Sequence, residues 1–550
     1  MLSKDLKTKK AIKELLAKKI KTRDDLMMAK RGLCKKYGIE MLKNSDILKL
    51  AGKKKEVLNS LLRKRSIRTL SGIAPVAVLT KPFACPGKCV YCPTVDDVPK
   101  SYLPNEPAVM RAIKCEYDQY KQVQYRLRAL EANGHHPTKI ELIVIGGTWS
   151  VFPEEYKYWY ILNCFKAAND YANSKKQPAS TRSCSSTRGG EARNKKISEK
   201  LKFETLKKKL GEEQKKNERA KYKLIGVTLE TRPDYINEKE LLEMRELGCT
   251  RVELGAQAID DEILKLNRRG NDVKDIADAT KFLHDFGFKV TYHLMPGLPG
   301  SSPKKDLAMF KQLFGDERFQ PDQIKFYPTV VTEGSLLYEW WKKGEYTPYP
   351  DEVLQQLIID CKAVIPPYVR IIRLVRDIPS ESIVAGNIIT NLRQIMQARG
   401  IECNCIRCRE ARDKQLTINN SRLTKIEYDA SNGKEVFMQI ESKDGKILFG
   451  FLRLRLPSRL SRQSPATAYN ALRGAAMVRE LHVYGELVSV GGNKKTQHAG
   501  LGAKLLKEAE RIVKKAGYEK LAIISGVGAR GYYKKSGYKL EDSYMVKKIK

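Results

Sequence analysis

The stretch "ACPGKCVYCP", residues 84–93, sets three cysteines within eight residues: Cys85, Cys89 and Cys92, spaced C-x3-C-x2-C. Three thiolates at this spacing can wrap one corner of a cubic [4Fe–4S] cluster and leave its fourth iron without a protein ligand, open to a small molecule. A zinc site asks for four ligands, so the competing readings are a zinc knuckle with a distant fourth ligand, or cysteines buried for packing alone. Position favours the cluster. The loop directly follows the apolar run "GIAPVAVLT" (72–80), and its small residues let the backbone bend around a bulky inorganic group.

That run is the first of six. "KIELIVIGGT" (139–148), "KLIGVTLETRPD" (223–234), "RVELGAQ" (251–257), "KVTYHLMPGLPG" (289–300) and "QIKFYPT" (323–329) follow, separated by helical stretches. Near-continuous apolar strands alternating with helices predict a parallel sheet with helical crossovers. Six repeats rather than eight predict an α/β fold with a partial (β/α)6 barrel. Chemistry in such sheets sits at the C-terminal strand ends. Polar or glycine residues punctuate those ends here: Gly146, Gly147 and Thr148, then Glu230, Gln257, His293 and Lys325. One such residue is usually a turn or a cap. A row of them at one rim is a site.

The chain has 550 residues, enough for three or four units, and 42% hydrophobic content supplies their cores. The formal net charge of +39 attracts polyanions, nucleic acid first among them. The excess is concentrated. Residues 1–70 carry 22 Lys and Arg against 7 Asp and Glu, and "MLSKDLKTKKAIKELLAKKIKTRDDL" has the spacing of a basic amphipathic helix. Acidic Asp5, Glu14, Asp24 and Asp25 speak against a mitochondrial presequence. No apolar run approaches the roughly 18 residues that a membrane span requires. Twelve cysteines, six of them in two tight clusters, suit metal binding in a reducing, cytoplasmic setting better than a disulfide framework.

The expected division is a basic helical region over 1–65, the barrel over 66–400, a cysteine-rich linker over 401–425 and a separate α+β domain over 426–550. Residues 173–222 interrupt the barrel, Ser/Thr/Gly/Arg-rich at first and then charged and helix-prone. The linker holds "CNCIRC", where Cys403, Cys405 and Cys408 offer three ligands of a zinc site; Cys34, a histidine or water would complete it. In the last domain "QHAGLG" (497–502) follows a strand and opens a helix. Successive backbone N–H groups there form a nest suited to a pyrophosphate. A plain glycine loop is the bland reading of a hexamer this common.

The context of both motifs carries a resemblance. C-x3-C-x2-C after the first barrel strand is similar to the signature of radical S-adenosylmethionine (SAM) enzymes. In that family the open iron chelates SAM, and electron transfer yields a 5′-deoxyadenosyl radical. "GGT" (146–148) resembles the family's glycine motif for the SAM amino group; Glu230, Gln257 and Lys325 are the further SAM contacts it implies. The order strand, "QHAGLG", helix, "LAIISG", "YYKKSGY" resembles the GNAT acetyltransferase fold. That likeness implies acetyl-CoA contacts at His482, Val483, Gln497, Gly500, Leu501 and Gly502. It also puts Tyr532 or Tyr533 beside the thioester, and one of the two in core packing.

Both halves together resemble the Elp3 family: the catalytic subunits of Elongator and their standalone archaeal and bacterial relatives. "NEPAVMRAIKCEYDQY" (105–120), "ETRPDY" (230–235), "RDIP" (376–379), "VRELHVYG" (478–485) and "ISGVGARGYYKKSGY" (524–538) carry the likeness. It implies a catalyst acting on tRNA wobble uridine 34, with a [4Fe–4S] cluster, SAM and acetyl-CoA, forming 5-carboxymethyluridine. Catalytic roles would fall to Tyr533, Tyr532 and Lys325, the last with a structural ion pair as its alternative. The anticodon stem-loop is the expected partner, with Elongator-like accessory subunits as further candidates. The rival function is a protein lysine acetyltransferase with a structural barrel; a non-catalytic RNA scaffold would not need both cofactor motifs.

Overall fold

The structure, a computed structural model, describes residues 4–52, 61–62, 72–174, 203–389, 391–411, 421–458, 469–484 and 500–549. Two seven-stranded sheets organise it. The first contains β1 (Ala74–Leu79), β2 (Lys139–Ile145), β3 (Lys223–Thr231), β4 (Cys249–Gln257), β5 (Lys289–Leu294), β6 (Gln323–Phe326) and β7 (Arg370–Arg373). Each strand pairs with the next in parallel, in chain order. Helices such as Glu238–Glu246, Val273–Asp285 and Pro303–Gly315 make the crossovers. Covering by helices outside and side chains inside explains the unbroken apolar runs: eight of the nine residues of β4 are buried.

This is the expected partial barrel with one strand more. The seventh, "RIIR", escapes a reading of apolar runs because it is four residues long and begins and ends with arginine. The inward positions are strongly polar. Arg251 bridges Glu141 at 3.1 Å and reaches Gln323 at 3.1 Å, all within the curve of the sheet.

At the N-terminus the basic segment forms two helices rather than one, Lys4–Ala17 and Arg23–Tyr37. Thr22 ends the first run by capping the second, its hydroxyl accepting from Asp25 N–H at 3.1 Å while Asp25 accepts from Thr22 N–H at 2.9 Å. With Asn44–Leu50 they enclose a small core of their own around Ile12, Leu15, Leu33 and Ile47. The helix Phe203–Asn217 occupies the second half of the segment read as an insertion; residues 175–202 of its first half lie outside the described residues.

The second sheet runs β8 (Ser421–Ala430), β9 (Gly433–Ser442), β10 (Leu448–Pro457), β11 (Ala475–Val483), β12 (Lys520–Ile523), β13 (Lys539–Glu541) and β14 (Tyr544–Lys548), in the order β13-β14-β12-β11-β10-β9-β8. β8 begins inside the stretch read as linker. Only β11 and β12 pair in parallel, over Ala475–Val478, so the last five residues of β11 extend past their neighbour.

This sheet docks on the N-terminal ends of the barrel strands through buried charges. Asp322, before β6, accepts two bonds from Arg479 at 2.8 and 2.6 Å and one from Val290 N–H at 2.9 Å. Arg455 reaches Asp285 at 2.7 Å, and Lys289 meets Glu480 at 3.5 Å. Gly526 presses against β3 so closely that a Cβ there would lie 2.0 Å from the Ile225 carbonyl oxygen, which gives the glycines of "SGVG" a packing reason.

Candidate functional site

The cysteine loop lies at the C-terminal rim of the barrel, stitched by Val90 N–H to the Asn267 carbonyl at 3.2 Å and by Val90 C=O from Leu337 N–H at 2.8 Å. Gly87 sits at its centre. A Cβ there would be 3.5 Å from Cys85 Sγ, 3.6 Å from Cys89 Sγ and 2.9 Å from an Arg232 nitrogen, so a larger residue would have to push the Arg232 guanidinium aside. Among the described residues only Cys403, Cys405 and Cys408 gather three donor atoms within 4.8 Å. The looser set of Cys85, Cys89 and Cys92 suits a cubane, which takes each thiolate on a different iron, better than a single ion. Hydrogen bonding from Cys92 and the charge of Arg269 lower the Cys89 thiol against its burial, while the same hydrogen bond raises Cys92, so the two sulfurs share a proton and Arg269 favours the thiolate at Cys89.

The glycine motif adjoins this loop. Thr148 Oγ1 stands 4.0 Å from Cys85 Sγ. Gly146 (φ +134°) and Gly147 (φ +97°) use backbone conformations that side chains rarely adopt, and a Cβ on Gly146 would meet Thr80 Oγ1 at 2.0 Å. Glu230, at the end of β3, accepts from Tyr102 Oη at 3.2 Å and faces His293 Nδ1 at 3.6 Å. Gln257 ends β4 with φ +68° and a buried side-chain oxygen that lacks a protein partner. Lys325 points inward to Glu253, which also accepts from His293 Nε2 at 3.0 Å. The ion-pair alternative for Lys325 is thus what the structure contains. Burial raises the Glu253 carboxyl, but Lys325 and His293 outweigh it and hold the group well below the usual carboxylate range.

In the second sheet, Gly500 (φ +85°) precedes the fifteen-residue helix Leu501–Lys515. A Cβ on Gly502 would lie 2.6 Å from Tyr532 Oη and 3.7 Å from a Val483 methyl, so loop, strand end and tyrosine converge. Tyr532 is half-exposed, whereas Tyr533 is buried with its ring edge-on to Tyr532. Leu501 turns its side chain into the core. His482 stacks on Phe451, and burial lowers it to about 4, leaving a neutral ring whose Nε2 has no protein partner. Gln497 lies outside the described residues.

One cavity of about 780 Å³ joins these ends. It is lined by Cys85, Cys89 and Cys92 at the rim, Glu253, His293 and Lys325 midway, and Glu480, His482 and Tyr484 at the second sheet. The six residues of β5 span it, roughly 20 Å.

Apart from this cavity, Cys403, Cys405 and Cys408 bridge the sheets: Ile406 N–H bonds the Val369 carbonyl at 2.9 Å and Ala411 N–H the Leu448 carbonyl at 2.9 Å. Cys34 is not part of this group. It belongs to the N-terminal helical core, where its thiol meets the Glu40 carbonyl at 3.4 Å.

Arg232, Glu253, Arg269 and Tyr102 were not singled out by sequence. Arg232 sits in the quoted "ETRPDY" and Glu253 in the strand "RVELGAQ", but neither stretch marks which side chain points inward, and only the curvature of the sheet brings the four together.

Three family models tile the chain: the Radical SAM superfamily over residues 81–313, the Radical SAM C-terminal domain over 321–400 and the acetyltransferase (GNAT) family over 417–538. The tRNA uridine(34) acetyltransferase of Dehalococcoides mccartyi is 45% identical over 88% of this chain and all of its own length. Human Elongator complex protein 3 is 36% identical over 98% of this chain and 96% of its own. The solved structure of archaeal Elp3 from Methanocaldococcus infernus, lacking its N-terminus, superposes with a TM-score of 0.68 at 36% identity, over 87% of this chain and 99% of that one. With one cavity running from a radical SAM cysteine loop to a GNAT strand end, and relatives this similar over nearly its whole length, the chain belongs to the Elp3 family of tRNA uridine(34) acetyltransferases.

Proposed function

We propose that this protein modifies the wobble uridine of tRNA, building a carboxymethyl group on C5 from the acetyl group of acetyl-CoA. The observation that carries this reading is the single cavity that runs from the cysteine loop to the end of β11: His482 lines it, and Val483 beside it meets the Gly502 turn, so one space links the two cofactor regions and can serve one reaction. A lysine acetyltransferase would have no use for a space shared with the cysteine loop.

Cys85, Cys89 and Cys92 would hold the [4Fe–4S] cluster; Gly146–Thr148, Glu230 and Gln257 would hold SAM. When bound, these groups supply a carbon-centred radical, and acetyl-CoA supplies the two-carbon unit. The chain's own residues do the rest. Gly500 and Gly502 leave backbone N–H groups free at a helix start for the pyrophosphate. Tyr532 Oη, at the Gly502 turn, would donate a hydrogen bond to the thioester oxygen, and its edge-on contact with buried Tyr533 supports that role. Lys325 pairs with Glu253, which also accepts from His293 Nε2, so the middle of the lumen is polar and its lysine and carboxylate are matched. The barrel wall and the second sheet shield much of this space, which limits the water that reaches a reactive carbon centre. The roughly 20 Å between the ends requires the acetyl arm to extend along the lumen.

The +39 charge and the basic N-terminal helices suit the phosphates of a tRNA whose anticodon base is splayed into the cavity. Elongator-like subunits are candidate partners. Among the described residues no helix is long and apolar enough to cross a membrane, and the eleven described cysteines are free thiols, which suits a cytoplasmic protein. Cys403, Cys405 and Cys408 fit one zinc ion that ties barrel to GNAT sheet.

The test is an anaerobic reaction of the reconstituted protein with tRNA, SAM, dithionite and acetyl-CoA labelled with carbon-13 in the methyl group. Nucleoside mass spectrometry should find label in carboxymethyluridine, and none when SAM is omitted. Labelled acetyl-lysine with unmodified tRNA would overturn the proposal.

A further inference from the structure

We propose that Arg269 sets the reduction potential of the iron–sulfur cluster by holding an unmatched positive charge and an N–H donor against Cys89. The inference rests on the cluster half of the function proposed above and is independent of acetyl-CoA and tRNA.

Three guanidinium groups surround the cysteine loop. Arg232 is forked on Asp234, with two bonds of 2.9 Å. Arg376 pairs with Glu106 at 3.2 Å. Arg269 differs. Its side chain is buried, one nitrogen donates to Cys89 Sγ at 3.4 Å and another to the Gly255 carbonyl. Among the described residues no carboxylate pairs with it; its neighbours are the Cys89 and Cys92 sulfurs and the Tyr91 phenol, which burial pushes well up and so keeps neutral. A buried, unmatched cation is costly, and arginine cannot shed its proton to escape the cost. Thiolates bound to a cluster are the counter-charge that completes the site.

The placement is built in. Arg269 N–H bonds the Leu264 carbonyl at 3.0 Å, and Asn267 two residues earlier accepts from Val90 of the cysteine loop at 3.2 Å. The segment carrying the guanidinium is therefore fastened to the segment carrying Cys89, and a Cβ at Gly255 would collide with the guanidinium at 2.7 Å. Reduction by dithionite adds one electron to a cluster that three thiolates already make negative. A nearby cation and a hydrogen bond to a ligating sulfur stabilise the reduced form more than the oxidised one, which raises the potential.

The experiment is a redox titration followed by electron paramagnetic resonance, on full-length protein reconstituted with iron and sulfide, without SAM, tRNA or acetyl-CoA. Wild type, Arg269→Gln and Arg269→Lys are compared after iron and sulfide analysis. The expected result is equal cluster content, a midpoint displaced to more negative potential in Arg269→Gln, and an intermediate midpoint in Arg269→Lys, which keeps the charge but not the fork. An unchanged midpoint in a fully loaded Arg269→Gln protein overturns the inference. So does a Gln variant that cannot hold the cluster, since Arg269 would then be a prop for the loop. Wild type that takes up no cluster would overturn the cluster reading itself, a distinct outcome.

Discussion

A Cys89→Ala protein, reconstituted anaerobically, is expected to form no 5′-deoxyadenosine above background and no carboxymethyluridine, while acetyl-CoA still binds. Cys89 is the centre of the C-x3-C-x2-C loop: buried, bonded by Arg269, and flanking the Gly87 turn together with Cys85. With two thiolates left, a cubane has two irons without protein ligands rather than one, and both its retention and the chelation of SAM at a single open iron fail. The GNAT strand end lies at the other end of the cavity, about a barrel length away, and shares no residue with the loop. Calorimetric titration with acetyl-CoA should therefore give wild-type affinity. Retained 5′-deoxyadenosine formation would show that these cysteines do not hold the cluster.

Replacing Asp322 by alanine is expected to cost about 3–5 kcal/mol, because it leaves buried arginines without their acid. Asp322 is fully buried and receives Arg479 twice, while Arg453 lies 3.4 Å away. These residues join barrel and GNAT sheet, so urea titration should show the two units separating at lower denaturant than in wild type. The pH dependence has a definite sign. Burial pushes the Asp322 carboxyl up, but Arg479 and Arg453 outweigh it and hold the group well below its ordinary range. Its folded pKa is thus depressed, and its contribution is complete above the unfolded value of about 3.9. The gap between wild type and variant should be full at neutral pH and shrink as pH falls below that value. Glu480 acts the same way: Lys289 and Arg453 overcome its burial and hold it at about 2. A gap unchanged in acid would mean that the ion pairs are not what docks the domains.

The parts of this molecule that chemistry marks in short stretches were legible in the sequence. The cysteine loop, "GGT" and "QHAGLG" each announce a function through the residue types that a cluster, a close backbone approach or an anion nest requires. The first six strands were legible because each lies in an apolar run, as a parallel sheet covered on both faces requires, even β6, whose four residues continue into "YPT". β7 was not, since an edge strand of four residues with an arginine at each end has no apolar run. The charged lumen was hidden for another reason. Glu253 in "RVELG" and His293 in "TYHL" look like ordinary punctuation of strands, and only alternation along a curved sheet turns them inward together. Arg269 follows the same logic, because its partner Cys89 is 180 residues away in sequence. The docking of the second sheet on the N-terminal ends of the barrel strands was equally silent, because charges that pair across domains look solvated one at a time.

The central claim is that both cofactor sites serve one reaction inside one cavity. The most direct measurement is deuterium transfer: acetyl-CoA deuterated in the methyl group, with SAM, dithionite and tRNA, followed by mass analysis of the 5′-deoxyadenosine formed. The account predicts one deuterium in 5′-deoxyadenosine, formed together with labelled carboxymethyluridine. Carboxymethyluridine accompanied by 5′-deoxyadenosine free of deuterium would contradict it, because the hydrogen would then have come from somewhere other than the acetyl group.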